Sequence, residues 1–123
     1  LKKEKKLYPN VHIISNRFKW NSCGRMVGII LPIIHAMNKD ETMIKNFPSF
    51  NAVKNRKNVV LLGDSIADIG MIKGFNYKNL IKIGFLNKDV KKNLKSYRKH
   101  FDVVIANDND IIYVNKLIRN LVG

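Results

Sequence analysis

Cysteine is almost absent from the sequence, and this scarcity limits the chemistry available to the chain. Cys23 is the only cysteine among 123 residues. An internal disulfide, a thiolate metal cluster and a CxxC redox site are therefore all excluded. A chain without disulfides is typical of a reducing compartment, so we expect a cytoplasmic location.

The sequence also has no apolar run long enough to cross a membrane. The longest nearly continuous run, MVGIILPIIHAM (residues 26–37), is interrupted by Pro32 and His35. It falls short of the roughly 17 to 25 residues that a membrane helix needs. The charged start, LKKEKK, is not followed by the apolar stretch of a secretory signal. We therefore expect no membrane partner, and we interpret residues 26–37 as buried core.

Acidic residues are few, with 9 Asp and Glu against 23 Lys and Arg, for a net charge of +14. Such a charge is compatible with nucleic acid, an acidic membrane surface or a phosphorylated substrate. Within residues 88–101, apolar side chains recur at helical spacing and leave lysines on the outer faces. The apolar positions are Val90, Leu94, Tyr97 and Phe101, and the lysines are Lys91, Lys92, Lys95 and Lys99. We interpret this stripe as a solvated basic face, and a module that binds RNA or polyanions remains a weaker alternative.

The order of predicted elements indicates one α/β domain. The sequence predicts strands at residues 11–15, 58–63, 79–86 and 102–106, and helices at about 65–73, 88–100 and 110–121. Strands that alternate with helices of this length favour a doubly wound, Rossmann-like parallel sheet with flanking helices. Residues 17–29 predict a small β-hairpin around the turn-forming cluster at residues 21–24. Pro48 predicts the start of a further helix.

Two of the scarce carboxylates follow the apolar strand in NVVLLGDSIADIGM, residues 58–71. Asp64 comes directly after the strand, Ser65 is a suitable helix N-cap, and Asp68 lies about one turn further on. Ligands bind at this end of a parallel sheet. Two carboxylates there suit Mg²⁺, which keeps water or phosphate oxygens for its other positions. The structural alternative is that Asp64 begins a turn and Asp68 complements the helix dipole.

A lysine motif 25 residues upstream, HAMNKDE with Lys39, completes a pattern of four stretches. The others are NVHIISNRF, VVLLGDSIADIGMIKG and KIGFLNK. In order and spacing, the sequence from about Tyr8 to Leu121 resembles the cytosolic pyrimidine 5′-nucleotidases of the haloacid dehalogenase (HAD) superfamily.

The resemblance implies a Rossmann-like core that hydrolyses nucleoside monophosphates with Mg²⁺ through an aspartyl-phosphate intermediate. By position, Lys39 matches the catalytic lysine that neutralises the phosphate and steadies the nucleophile. Asp64 matches the direct metal ligand, and Asp68 matches the second acid of the metal shell. Ser65 follows the family pattern as a phosphate-binding residue. Phosphoryl transfer needs positive charge around the developing oxyanions, which a lysine and Mg²⁺ supply.

Three parts of the family pattern do not occur in these 123 residues. They are the nucleophile motif DxDx(T/V), the serine or threonine of the second motif, and the cap domain that surrounds the base. We therefore expect residues 1–123 to be the C-terminal portion of a single HAD-type core domain, whose partner is the N-terminal half of the same protein. The isolated chain is expected to lack turnover, and the strand at 58–63 to present an unpaired edge.

Several alternatives stay open. The runner-up function is a non-catalytic α/β module, derived from the HAD fold, that binds phosphate or a nucleotide. Residues 108–110 (Asp-Asn-Asp) imitate the nucleophile motif, but their place before the last helix favours a helix cap. His12, His35 and His100 share no ligand spacing, so no zinc site is predicted. For Ser15 and Asn16 we favour a loop hydrogen bond.

Overall fold

The computed structural model describes residues 8–35, 38, 45, 50–107 and 111–122. The chain forms two compact units: residues 1–57 and 70–78 belong to the first, and residues 58–69 and 79–123 to the second. Lys39 and the predicted helix cap at residues 108–110 lie outside the described residues. In the part of the chain that is described, no helix is long and apolar enough to span a membrane.

A two-stranded antiparallel hairpin is the main element of the first unit, as the sequence predicts. Strand β1 is Arg17–Trp20 and strand β2 is Met26–Ile30, with Phe18 opposite Ile29. Asn21 closes the turn, because its side-chain oxygen accepts hydrogen bonds from two backbone N–H groups two and four residues further on, at 3.0 and 2.9 Å. Gly24 adopts a φ of 72°, which favours glycine.

Two expectations for the first unit are wrong. Residues 11–15 form no strand, and of their side chains only Ile14 is even half-buried. No strand among the described residues pairs with them, so these apolar residues do not join a hydrogen-bonded sheet in the described part of the chain. The apolar run 26–37 is not buried core either: its described members include Leu31, which is 75% exposed. Because the hairpin pairs only two strands, its apolar side chains gain no covering layer within the described unit.

Helix α1, Phe50–Val53, confirms the predicted helix start after Pro48 but extends for only four residues. Its first residue packs against Phe75, with the ring centroids 6.5 Å apart. Lys57 ties the same region together, since its carbonyl accepts from the Lys78 N–H at 2.8 Å and its ammonium donates to the Asn76 carbonyl at 3.1 Å. These contacts join the two sequence segments of the first unit.

A parallel three-stranded sheet forms the second unit, in the order β3-β4-β5. The strands are β3 (Asn58–Gly63), β4 (Asn79–Leu86) and β5 (Val103–Ala106). A 3₁₀ helix, Ile66–Ile72, follows β3, helix α2 (Val90–His100) joins β4 to β5, and helix α3 (Ile112–Val122) follows β5. All three strands and the three helical segments agree with the sequence prediction to within a few residues.

Alternate residues of β4 are covered on opposite faces of the sheet. Ile83 is fully buried in a core with Ile105 of β5 and Val114 of α3. The next residue, Gly84, faces the buried ring of Phe101, which ends α2. Since successive strand residues point to opposite faces, one helix lies over each face of β4. The predicted α/β class, a parallel sheet with flanking helices and a small hairpin, is therefore confirmed.

Burial differs from the sequence expectation at two places in the second unit. The continuous apolar run of β3 is typical of a strand buried on both faces, but Val60 and Leu62 remain 40% and 39% exposed while Leu61 is buried. Strand β3 is at the edge of the described sheet, and alternate residues along it are exposed, so only one of its faces is covered. On α3, helical spacing in the sequence places Leu121 on the same side as Val114, but Val114 faces the core whereas Leu121 is exposed. The lysines of α2 lie on exposed positions, as predicted.

Candidate functional site

The predicted acidic residues occupy the loop that leaves the carboxyl end of β3. The strand ends at Gly63, Asp64 and Ser65 form the bend, and the 3₁₀ helix begins at Ile66. In a parallel α/β sheet, ligands bind at the carboxyl ends of the strands, where the following helix presents free backbone N–H groups. We refer to residues 63–68 as the acidic loop.

Ser65 is the N-cap of the 3₁₀ helix, as the sequence predicts. Its hydroxyl oxygen accepts a hydrogen bond from the Ala67 N–H at 3.2 Å. In return, the carboxylate of Asp68 accepts from the Ser65 N–H at 3.1 Å. This reciprocal arrangement resembles a capping box, with aspartate in the place usually taken by glutamate and with the hydroxyl bonded to the second helical residue instead of the third. It satisfies donors that the first turn of a helix leaves unpaired.

Asp68 also holds the residue before the cap. The same oxygen, Oδ2, accepts from the Asp64 N–H at 3.1 Å, so one carboxylate oxygen binds two successive backbone N–H groups. The side chain is only 7% exposed. It folds back over the end of β3, where a Cβ atom on Gly63 would come within 2.8 Å of the Asp68 Cβ. Glycine at position 63 therefore makes this close approach possible.

Asp64 has a fixed main chain and an exposed side chain. Its N–H donates to Asp68, and its carbonyl oxygen accepts from the Tyr97 hydroxyl at 2.7 Å. Among the described residues, its carboxylate takes part in no hydrogen bond or ion pair. The loop thus presents an exposed carboxylate on a residue whose backbone N–H and C=O are both hydrogen-bonded.

The donor set suits a hard divalent cation such as Mg²⁺. Mg²⁺ is usually held by one or two carboxylates and keeps several waters or phosphate oxygens. Asp64 offers the accessible carboxylate, while Oδ2 of Asp68 is already bonded to the loop backbone. Within the described ranges, no group of three or more His, Cys, Asp or Glu side chains is arranged to hold a metal. A cation here would therefore depend mainly on Asp64 among the described side chains.

Two asparagines in the first unit hold the segment that precedes Lys39 in the sequence. The Asn16 side chain donates to the Ile34 carbonyl at 2.8 Å and accepts from its N–H at 2.7 Å. The Asn38 side chain accepts from the His35 N–H at 2.7 Å and donates to the Ile33 carbonyl at 2.8 Å. The loop hydrogen bond predicted for Asn16 is confirmed. The place of Lys39 itself stays a prediction.

Sequence reasoning missed the contribution of Tyr97 to the acidic loop. It placed this residue on the apolar face of α2, which is correct, but gave no role to the hydroxyl group. The available signal was chemical, because a tyrosine within a packed stripe usually finds a hydrogen-bond partner for its O–H. The identity of the partner, 33 residues earlier in the chain, depends on the tertiary structure.

This α/β fold is that of a nucleotidase family. The sequence model of the pyrimidine 5′-nucleotidase (UMPH-1) family matches residues 1–122, and the chain belongs to that family. The predicted family resemblance is therefore confirmed.

Relatives of known activity agree with this placement. The 7-methylguanosine phosphate-specific 5′-nucleotidase of Mus musculus is 34% identical over 122 residues, which are 98% of this chain and 41% of the mouse protein. The protein of the same name from Drosophila melanogaster is 36% identical over 104 residues, or 83% of this chain and 32% of that protein.

A solved structure is similar along nearly the whole chain. It is the crystal structure of cytosolic 5′-nucleotidase IIIB bound to cytidine, with a TM-score of 0.83 and 32% sequence identity. The similarity covers 98% of this chain and 41% of that chain. The chain thus spans less than half the length of the relatives that it matches.

Proposed function

We propose that this chain provides the metal- and phosphate-binding part of a Mg²⁺-dependent 5′-nucleotidase of the HAD type. The parent enzyme would hydrolyse nucleoside monophosphates, pyrimidine nucleotides among them, to nucleoside and phosphate. One observation carries the proposal: Asp64 presents an exposed carboxylate at the carboxyl end of β3 while Asp68 and Tyr97 hold its main chain. Membership of the UMPH-1 family supports the reaction class.

Each residue of the proposed site has a chemical task. The Asp64 carboxylate holds the cation, and Asp68 supports it by keeping the acidic loop in place. Ser65 uses its hydroxyl oxygen as an acceptor within the cap, which leaves its O–H to donate to a phosphate oxygen. Lys39 neutralises the phosphate and steadies the nucleophile. Bound Mg²⁺ would offset the negative charge that builds on the phosphoryl oxygens.

The nucleophile of the proposed enzyme is not among these 123 residues, which contain no DxDx(T/V) motif. We propose that a segment upstream of Leu1 supplies it, together with the second motif and the cap, and that the parent is a cytoplasmic protein. The word "cytosolic" in the name of the similar solved structure is in keeping with this location. The isolated chain would then bind the cation but release no phosphate.

The relatives suggest which substrates to compare. The mouse and fly proteins are named for 7-methylguanosine phosphate, and the similar structure holds cytidine. We propose that the parent enzyme accepts CMP and UMP, and an assay should include 7-methylguanosine monophosphate beside them. Preference for the purine nucleotide alone would contradict the pyrimidine assignment and leave the nucleotidase assignment intact.

The metal site is tested by titrating the 123-residue chain with Mg²⁺ and following the amide resonances of the acidic loop. We expect Asp64→Asn to weaken Mg²⁺ binding by more than about tenfold, since even residues that only support a ligand contribute on this scale. Asp89→Asn is the matched control, because Asp89 is exposed and makes no side-chain cap bond. Equal affinities in wild type, Asp64→Asn and Asp89→Asn would refute the proposed site.

The missing nucleophile motif favours one second candidate, a non-catalytic module that binds phosphate or a nucleotide. The two candidates differ in turnover once the chain is expressed with its upstream coding sequence. Mg²⁺-dependent release of phosphate from CMP or UMP supports the nucleotidase. Nucleotide binding without release supports the non-catalytic module. Turnover by the isolated chain would contradict the assignment of the nucleophile to an upstream segment.

A further inference from the structure

The Tyr97 hydroxyl donates a hydrogen bond to the carbonyl oxygen of Asp64. The O···O distance is 2.7 Å, the usual value for an O–H donor and an oxygen acceptor. On the other side of the same residue, the Asp64 N–H donates to Asp68. Hydrogen bonds to both the N–H and the C=O of a residue restrict its backbone torsions, so the direction of its Cα–Cβ bond is set as well.

The ring of Tyr97 is itself held in place from beneath. It stacks on Phe101, with the ring centroids 5.4 Å apart and the planes inclined by 29°. Phe101 is 4% exposed and lies against Gly84 in the central strand β4. A series of contacts therefore links the middle of the sheet to the acidic loop through two aromatic rings and one hydrogen bond. Tyr97 is thus packed against a buried core residue, and its hydroxyl reaches the acidic loop from α2.

We propose that Tyr97 is a positioning residue: its hydroxyl fixes the backbone of Asp64 so that the carboxylate is presented to the divalent cation. The inference rests on the proposed function, and it adds a residue from α2 to a metal site whose carboxylates come from the acidic loop. The Tyr97 hydroxyl donates to the Asp64 carbonyl oxygen and not to its carboxylate. Its effect passes through the Asp64 carbonyl, in the way that outer-shell partners tune metal ligands.

Tyr97→Phe is the direct test, because it removes the hydroxyl and keeps the ring on Phe101. In the 123-residue chain we expect Mg²⁺ affinity to fall about tenfold, the lower end of the range for outer-shell partners. In the metal-free chain we expect faster hydrogen exchange of the Asp64 and Ser65 amides, whose bonds to Asp68 depend on the same backbone. Tyr113→Phe is the matched control, as Tyr113 is 53% exposed on α3.

A second control separates positioning from general loss of stability. Val103→Ala weakens the packing of β5 without touching the acidic loop, so it lowers the midpoint of thermal unfolding and should leave Mg²⁺ affinity unchanged. If Val103→Ala weakens Mg²⁺ binding as much as Tyr97→Phe at equal stability, the positioning role is refuted.

The outcomes also distinguish this inference from the proposed function. If Asp64→Asn loses Mg²⁺ binding while Tyr97→Phe keeps wild-type affinity and wild-type amide exchange, the role of Tyr97 is refuted and the metal site stands. If wild type and Asp64→Asn bind Mg²⁺ alike, the metal site itself fails. A fall in affinity and faster exchange in Tyr97→Phe, with neither change in Tyr113→Phe, supports the inference.

Discussion

The ring of Phe101 lies so close to Gly84 that a Cβ atom on the glycine would come within 2.6 Å of the ring carbon Cδ2. Real Cβ contacts are longer than this, and Phe101 is itself buried against the sheet. The absence of a side chain at one position of β4 thus allows the aromatic residue at the end of α2 to pack directly on the backbone. This contact joins the helix to the strand on one face of the sheet.

Gly84→Ala should therefore destabilise the second unit by about 1 to 3 kcal/mol, the usual cost of forcing an extra methyl group into a packed core. The free energy of unfolding from denaturant titration measures the effect. Gly28→Ala is the control, because a Cβ atom there meets nothing within 4 Å. Equal stability of the two variants would mean that the ring of Phe101 moves aside freely.

Asp68→Ala should cost about 2 kcal/mol, since two backbone N–H groups lose a charged acceptor. The loss should appear in the denaturant midpoint and as faster hydrogen exchange at Asp64 and Ser65. Asp89→Asn removes the same charge from the N-cap of α2, where no side-chain cap bond exists, and asparagine tolerates the φ of 48° at this position, so stability should change far less. Wild-type exchange rates in Asp68→Ala would contradict the role of this carboxylate in holding the loop.

Lys82 and Asp102 allow a hydrogen bond to be compared with an ion pair. The Asp102 carboxylate accepts from the Lys82 N–H at 2.8 Å, while the two charged groups lie 3.9 Å apart on partly exposed side chains. Lys82→Met, which keeps the N–H, should cost less than about 1 kcal/mol. Asp102→Ala loses both contacts and should cost about 1 kcal/mol more. A larger effect of Lys82→Met, abolished by salt, would show that the ion pair dominates.

The sequence predicts the second unit well, because its elements are defined by local patterns. The run at residues 58–63 and the helical spacing of Val90, Leu94 and Tyr97 encode a strand and an amphipathic helix without reference to distant residues. The N-cap at Ser65 is equally local, since its partner is two residues away. For the same reason, the two carboxylates could be assigned to one loop before the fold was known.

Other features depend on contacts between residues that are distant in the sequence, and local sequence patterns do not specify these contacts. The strand expected at residues 11–15 has suitable residues but no pairing strand among those described, and the apolar run of β2 lies exposed in a two-stranded hairpin. The sequence identifies Asp68 as a second acid but does not show that its carboxylate accepts from two backbone N–H groups. That role depends on the close approach of Asp68 to Gly63 in the folded chain. The bond from Tyr97 spans 33 residues and follows from the packing of α2.

The exposed edge of β3 also affects how the chain behaves at high concentration. Six uncharged residues, NVVLLG, form a strand whose neighbour in the described sheet lies on one side, and two of its apolar side chains remain accessible. Such a segment has the composition of an amyloid-forming stretch. Lys57 and Asp64 flank this segment in the sequence. When identical strands stack in register, each lysine lies beside a lysine and each aspartate beside an aspartate, and these like charges repel. Charged residues that flank apolar strands in other proteins limit aggregation in the same way. We therefore expect Asp64 to oppose fibril formation as well, and its neutral variant to need handling at low concentration.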